Sequence, residues 1–569
     1  VERQEILDAI GRQPKVSVLI VGGGINGAGV FRDLALQGVD MLLVDKSDFC
    51  AACSAASGRV IHGGVRYLEN GEFRLVREAL LERNRLLVNA PHYVKPLPAT
   101  IPMYGWFSGI FYAFKQFLHL KSKPGDRGAL IIKAGLIMYD LFAGNQQILP
   151  HHRFEFRGAA RAKRPLLNPR ILCTATYYDA KLTYAERLCL ELVLDGEAAS
   201  PNAHALNYVR VSGASGDTVT LKDEVTGATV DVQPGIVVNA SGAWIDFTNR
   251  AMQRPTQFIG GTKGSHLVVD HQELWDATQG QMLHFVNSDG RITIFYPIED
   301  KVLIGTTDIP VTDPEQANWD EEETEYLLHA VNVVFPSIRL DRSNIVFRFC
   351  GVRPLPSSDA FVPGQISRDH SSPLVPPDNG IGFPIYSLVG GKWTTFRAFS
   401  EQVTDQLLPT LGRTRTTDTK NLPIGGGKGY PLTETERKQW VADFQLKSGL
   451  PAERIDALLE RYGTRAAAVI AFMQAGDDHP LQHAAGYTVR EVQFMAAQDK
   501  LVHLDDLILR RTLLGFLGRV NRAILDELAA VVAPVLGWSE TRAQREVERT
   551  IQLLEHRHGV NFETQIEPA

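Results

Sequence analysis

The stretch "RVIHGGVRYLE", residues 59–69, sets His62, Gly63, Gly64 and Arg66 within five positions of one another. An imidazole takes up and releases a proton near neutral pH. A guanidinium grips a planar oxyanion through two parallel hydrogen bonds. Adjacent glycines let backbone pass close to another group. The same side-chain types recur far downstream: His266 in "KGSHLVV", Arg353 in "GVRPL" and Lys392 in "GGKWTTFR". Proton transfer beside an anionic ligand is chemistry that such groups can perform, provided the fold brings them together.

The element most able to do so begins at residue 16. "VSVLIVGGGINGAGVFRDLALQGVDMLLVDK" reads as strand, glycine turn, helix and second strand. Val16–Val21 is short, apolar and rich in β-branched residues, as a strand buried on both faces should be. Gly22, Gly24 and Gly27 supply G-x-G-x-x-G: a tight turn, a close backbone approach to a pyrophosphate, and helix-on-strand packing. The helix N-terminus that follows is an anion site. The second strand ends at Asp45, placed to accept ribose hydroxyls. These features together read as a dinucleotide site. After Asp45 the chain runs through the small-residue stretch "CAACSAASGRVIHGG", whose Ser54 and Ser57 suit a segment lying along an extended cofactor. "GIVVNASGAW", residues 235–244, reads as a returning strand beneath the ADP. FAD is therefore expected over a nicotinamide cofactor.

At 569 residues the chain exceeds one core and implies two or three domains. With 44% hydrophobic and 22% charged residues it has the composition of a soluble or peripherally bound globular protein. A net charge of −6 argues against a general nucleic-acid binder. Five cysteines, an odd number, suggest free thiols in a reducing compartment, with Cys173 and Cys350 read as core thiols. Cys50 and Cys53 form a single CxxC pair with no second pair, so no metal site is expected. "VERQEILDAIGRQPK" is charged and lacks an apolar segment, so no signal peptide is expected there, and no run of about 18 apolar residues predicts a transmembrane helix.

Periodicity predicts an amphipathic helix over 72–88 with Phe73, Val76, Leu80 and Leu87 on one face, a β-hairpin over 217–232, and three strands within 281–308. Beyond "LPIGGGKGYP" the composition shifts. Capping boxes at Thr433–Glu436 and Thr488–Glu491, and helical periodicity over 541–556, indicate an all-α C-terminal domain. The aromatic stretch 103–123 places Phe107, Ile110, Phe111, Phe114, Phe117 and Leu118 on one helical stripe, near Lys115, Lys121 and Lys123. That pattern suits an interfacial membrane helix as well as a core helix, and membrane contact is the reading favoured here.

The motifs "GGGINGAG", "SAASGRVIHGGVRYLENGEFRLVREAL", "KGSHLVV", "IGTTD", "GVRPL" and "GGKWTTFR" occur in this order. Together they resemble the FAD-dependent glycerol-3-phosphate dehydrogenases of the aerobic, respiratory type, over about residues 15–400 and into the helical tail. The resemblance implies an α/β two-dinucleotide-fold flavoprotein: a Rossmann-type FAD domain, an inserted antiparallel-sheet substrate domain and an all-α C-terminal domain. The FAD and substrate domains interleave over 1–410, with FAD segments at about 15–90, 170–250 and 350–400 and substrate segments at about 91–169 and 251–349. A linker over 411–430 and a helical domain over 431–569 complete the expected division.

The activity implied is oxidation of sn-glycerol 3-phosphate to dihydroxyacetone phosphate, with electrons passed to a membrane quinone at the cytoplasmic face of the membrane. A homodimer is among the implied assemblies. Carried onto this sequence, the catalytic set is His266, His62 and Arg353, with His266 the first choice of proton acceptor. The substrate set is Arg66, Tyr67, Arg353, Lys392 and Thr395. The non-covalent FAD would meet Gly22, Gly24, Gly27, Asp45, Ser54, Ser57, His62, Gly63, Gly64, Ala240, Gly242, Gly391, Lys392 and Thr394, with Gly63 and Gly64 passing against the isoalloxazine. Arg59 departs from the family by standing where a lysine is usual, and the aromatic region 103–130 is longer than in bacterial relatives. Alternatives that keep the fold are an oxygen-using oxidase and a dehydrogenase of a longer polyol phosphate such as erythritol phosphate. A non-catalytic FAD-containing membrane-binding protein is the alternative from another class.

Overall fold

A computed structural model describes residues 3–68, 71–108, 128–144, 148–287, 291–357 and 369–562. Two sheets organise the chain. The first runs Leu374–Val375, Ile385–Ser387, Thr229–Asn239, Lys15–Val21, Met41–Val44, Ala203–Leu206. Its four central pairings, from Ile385–Ser387 through to Ala203–Leu206, are parallel. Val18, Leu19, Ile20, Leu43 and Val44 are wholly buried, which explains the unbroken apolar runs at these strands. Helices Ile25–Leu36, Ala185–Ala199 and Phe396–Thr410 cover one face. Gly29 and Gly196 set how closely they pack: a Cβ at Gly29 would meet Ser400 at 2.4 Å, and one at Gly196 would meet the Phe31 ring at 2.6 Å. The hairpin expected over 217–232 is present as Thr218–Asp223 against Thr229–Asn239.

The second sheet has ten strands, in the order Ile309–Pro310, Thr262–Val269, Lys301–Gly305, Ile292–Ile298, Met282–Val286, Val94–Met103, Cys173–Leu182, Val60–Ile61. Ile345–Arg353 adds to Thr262–Val269, and Arg153–Phe156 to Cys173–Leu182. The three strands expected within 281–308 are there. The expected antiparallel sheet is present with one parallel pairing, Met282–Val286 against Val94–Met103. Sheet membership differs from the expected segments: Cys173–Leu182 and Val60–Ile61 fall within sequence segments assigned to the FAD domain but pair into this second sheet, and Ile345–Arg353, which also pairs there, straddles the expected boundary at about 350.

The C-terminal region is built of helices, among them Glu434–Ser448, Ala452–Tyr462, Val489–Gln498, Arg522–Leu536 and Glu540–His558. Thr433 and Glu436 form the full capping box. At Thr488 only half the box forms: its hydroxyl accepts from Glu491 N, while the Glu491 carboxylate is taken by Arg454, Arg461 and Tyr462. Residues 411–430 are not a free tether. Gln37 Oε1 accepts from Thr416 N at 2.8 Å and Arg415 pairs with Asp33 at 2.8 Å, tying that stretch to helix Ile25–Leu36.

The helix expected over 72–88 spans Phe73–Asn89, with a buried face of Leu75, Val76, Ala79, Leu80 and Leu86. Phe73 lies off that face, 37% exposed, with its ring edge-on to Phe142. Of the aromatic stripe, Phe107 is 69% exposed, while Ile110, Phe111, Phe114, Phe117 and Leu118 lie outside the described residues. Among the described residues no helix is long and apolar enough to cross a membrane.

Candidate active site

Gly22, at φ +109°, turns the chain out of its strand where a Cβ would meet the Ala240 carbonyl oxygen at 2.5 Å. A Cβ at Gly27 would strike Gly22 O at 1.9 Å, so the turn and the first helical residues interlock only without side chains. Gly24 N-caps helix Ile25–Leu36, and Ser54 Oγ accepts from the helix amide of Ile25 at 3.0 Å. The Asp45 carboxylate accepts from Gly23 N at 2.7 Å and Ser47 N at 2.8 Å. Burial dominates its surroundings and pushes its pKa up to about 6 despite those two amides. Ala240 N donates to Val21 O, and Gly242 opens the turn after the returning strand at φ +61°. Ser57 Oγ accepts from the Arg59 amide at 3.3 Å.

A second group assembles where "GGKWTTFR" meets "RVIHGG". Thr394 Oγ1 accepts from His62 N and donates to His62 O, both at 3.1 Å, and so clasps the His62 backbone. Trp393 Nε1 donates to Ser54 O at 2.9 Å, and Asn26 Nδ2 to Gly390 O at 3.2 Å, joining this group to the glycine turn. A Cβ at Gly391 would fall 2.7 Å from Asn26 Nδ2. Lys392 Nζ lies over the Tyr67 ring. Gly63 and Gly64 need their small size for close packing against tyrosines. A Cβ at Gly63 would collide with Tyr139 OH at 2.4 Å and one at Gly64 with the Tyr67 ring at 2.2 Å, so the close approach on the side-chain side of both is to tyrosines. Gly63 N donates to Tyr139 OH and to Asp179 Oδ1, which also accepts from Tyr139 OH at 2.5 Å and pairs with Arg83. Arg66 belongs to the turn Val65–Leu68; its side chain is outside the described part of the molecule.

The third group lies on the second sheet. Arg353 is held in one plane: NH1 donates to Asp308 Oδ1 at 3.0 Å, and NH2 to Thr306 Oγ1 at 2.8 Å and Thr307 O at 3.2 Å. It lies flat on Gly264, where a Cβ would fall 2.1 Å from its NH2. Gly390 N donates to Pro354 O, so this group abuts the second. His266, 3% exposed, stacks on Phe349 at 4.8 Å and 5° and covers Gly305, where a Cβ would be 2.0 Å from its ring. Burial, then the cations Arg353 and Arg59, lower its pKa to about 3. The neutral imidazole is thereby the favoured form of His266, which makes it a weaker base than an ordinary histidine.

The residues present fit FAD. Among the described residues, Asn26 Oδ1, Lys392 Nζ and Thr395 Oγ1 are buried without hydrogen-bond partners, and they lie on the segments that join the glycine turn to the loop of Lys392. Orphaned polar atoms beside a dinucleotide turn are expected where a polar ligand supplies their partners. Arg59, in contrast, is structural: 2% exposed, it pairs with Glu186, donates to Thr183 O and covers the Phe516 ring at 4.2 Å. Asn26, Asp179 and Tyr139 were not among the expected site residues. Thr306 and Asp308 lay within the quoted "IGTTD" without an assigned role.

A glycine-cradled dinucleotide turn with a terminal acid, facing a second sheet that carries a fixed guanidinium, defines an FAD-dependent oxidoreductase. The family model described as FAD dependent oxidoreductase matches residues 17–375, and that of the C-terminal domain of alpha-glycerophosphate oxidase matches 417–543. The chain belongs to the FAD-dependent glycerol-3-phosphate dehydrogenase family. It is 32% identical to the glycerol-3-phosphate dehydrogenase of Synechocystis, covering 95% of this chain and 96% of that one. It is 30% identical to the D-erythritol 1-phosphate dehydrogenase of Brucella abortus, covering 87% and 93%. The glycerol-3-phosphate dehydrogenase of Bacillus halodurans, solved with FAD, superimposes with a TM-score of 0.74 at 23% identity over 99% of both chains.

Proposed function

We propose that the protein oxidises sn-glycerol 3-phosphate to dihydroxyacetone phosphate and delivers the electrons to a membrane quinone. The observation that carries this reading is Arg353, fixed by Asp308 and Thr306 beside His266 and adjoining the loop of Lys392. When bound, FAD supplies the two-electron acceptor for the hydride that leaves the substrate carbon. Arg353 binds the phosphate, its orientation pre-set so that little side-chain entropy is lost on binding. Lys392, a buried cation, offsets negative charge arriving beside it. The hydroxyl proton must also be taken up. His266, neutral across the working pH range, orients that hydroxyl as a hydrogen-bond acceptor, and His62, held by Thr394, takes the proton. His62→Asn should then lower kcat/KM far more than His266→Asn does; the reverse pattern would make His266 the base.

FAD is held without a covalent bond in this reading, and acid precipitation should release all of it. The relative named for erythritol 1-phosphate keeps a longer substrate in play, and the domain named for an oxidase keeps oxygen in play as acceptor. Comparing turnover with a quinone and with oxygen, for both polyol phosphates, separates these readings.

Docking at the membrane is supported by exposed apolar side chains around the stretch singled out in the sequence. Trp106 and Phe107, Phe156, and Leu130, Ile137 and Leu141 of helix Ala129–Ala143 are all exposed, with exposed Arg153, Arg157 and Lys163 on the neighbouring segment. An aromatic and aliphatic surface flanked by cations suits an anionic lipid interface.

A further inference from the structure

We infer that the helical C-terminal domain is a working part of the FAD site, with Arg510 and Arg511 positioning the ribose-binding loop through Asp48. Asp48 stands three residues after Asp45, and its side chain is fully buried. Its carboxylate accepts from Arg510 Nε at 2.6 Å, from Arg511 NH1 and NH2 at 2.5 and 3.0 Å, and from Asn207 Nδ2 at 2.9 Å. Both arginines come from the turn Leu507–Arg511 of the C-terminal domain. On its other side the same loop grips the glycine turn. A Cβ at Gly23 would be 2.4 Å from Phe49, Cys50 N donates to Gly23 O at 3.0 Å, and Gly23 N donates to Asp45. Residues 45–50 are thus clamped between the dinucleotide turn and an arginine pair more than 450 residues away in the chain.

A second contact reaches the same end of the site independently. The C-terminal helix Glu540–His558 ends on the loop 315–319: Asn318 Nδ2 donates to His556 O at 3.1 Å, Trp319 Nε1 to Arg557 O at 2.9 Å, and Arg557 NH1 to Ala317 O at 3.0 Å. That loop presents Glu315, which accepts from Trp244 Nε1 at 2.7 Å and pairs with Lys46, whose ammonium is 4.1 Å from the Trp244 ring. Lys46 follows Asp45, and Trp244 lies two residues past Gly242. Both contacts therefore land on residues flanking the positions that address the adenosine half of FAD. The buried pairs of Asp48 with Arg510 and Arg511 add little to stability compared with apolar packing of the same volume, and the exposed Lys46–Glu315 pair adds less, so their placement is better explained by positioning than by adhesion.

The test measures FAD release from the holoenzyme on dilution, followed by the rise in free-flavin fluorescence, beside melting of the FAD-stripped protein. Arg511→Lys keeps the charge and loses the two-pronged grip, and should speed release about 10-fold or more. Glu315→Gln, on the surface, should speed release about 3-fold, with the melting temperature of the stripped protein changed by no more than about 2 °C. If Arg511→Lys does not fold, Glu315→Gln and Trp244→Phe decide. Release at the wild-type rate in the folded variants, or acceleration only in proportion to lost stability of the stripped protein, would overturn the inference.

Discussion

The ammonium of Lys392 lies 4.3 Å from the centroid of the Tyr67 ring, buried and without a hydrogen-bond partner among the described residues. A cation–π contact compensates only part of the cost of burying that charge. The position is therefore costly for the protein alone and favourable once an anionic partner stands beside it. Lys392→Met should raise the melting temperature of the FAD-stripped protein. The same change should lower kcat/KM by roughly 30- to 1000-fold, the loss expected for a charge-assisted contact of about 2–4 kcal/mol. Melting curves and steady-state kinetics on the same preparation check both directions.

Arg353→Ala should weaken use of the phosphorylated substrate on the same scale, about 2–4 kcal/mol in transition-state binding, with FAD affinity nearly unchanged. Arg353→Lys should recover only part, because an ammonium cannot reproduce the planar fork held by Asp308 and Thr306. Unaltered kcat/KM in the alanine variant would make Arg353 structural and leave Lys392 and Arg66 to hold the phosphate.

Asp45 links function to pH-dependent stability. Its pKa in the folded protein is about 6 against an ordinary 3.8, so the folded state binds the proton more tightly than the unfolded state. Its favourable contribution is complete below about pH 3.8 and is lost as pH rises through about 6. Asp45→Asn should accordingly stabilise the FAD-stripped protein at pH 8, by on the order of 1–3 kcal/mol, and have little effect at pH 4. It should also weaken FAD binding, since the amide is a poorer acceptor for ribose hydroxyls. Thermal melts at the two pH values and an FAD titration provide the comparison.

The exposed patch gives a separable prediction. Phe107→Ser with Phe156→Ser should move the protein from vesicles of anionic lipid to the supernatant and slow electron delivery to a long-chain quinone. Turnover with a soluble dye should persist, because both rings are largely exposed, at 69% and 67%, and contribute little to the core. Sedimentation unchanged by the pair would place the membrane contact elsewhere on the molecule.

The sequence was informative where function is encoded locally. The glycine turn, Asp45, Ser54 and the returning strand to Ala240 follow rules of spacing that hold within one supersecondary unit, and the structure brings them together. The same holds for the hairpin, the strands within 281–308 and the Thr433 cap. What escaped is long-range. Asp179 stands in a strand with no local mark of function, yet it accepts the Gly63 amide 116 residues away. The Thr488 box reads as complete until Arg454 and Arg461 take its glutamate. His266 looks like an ordinary base in one dimension; only its packing between Phe349 and Gly305, near Arg353 and Arg59, reveals surroundings that disfavour its protonated form.

Oxidation of a three-carbon polyol phosphate through FAD is the reaction proposed for this site. The most direct measurement is an anaerobic titration of the flavin absorbance of the holoenzyme with sn-glycerol 3-phosphate, its enantiomer, glycerol and erythritol phosphate. Full bleaching is expected with sn-glycerol 3-phosphate, none with glycerol, which lacks the group that Arg353 addresses, and weaker or slower bleaching with the other two. Flavin that stays oxidised with sn-glycerol 3-phosphate, or that bleaches as readily with glycerol, would contradict the proposed reaction.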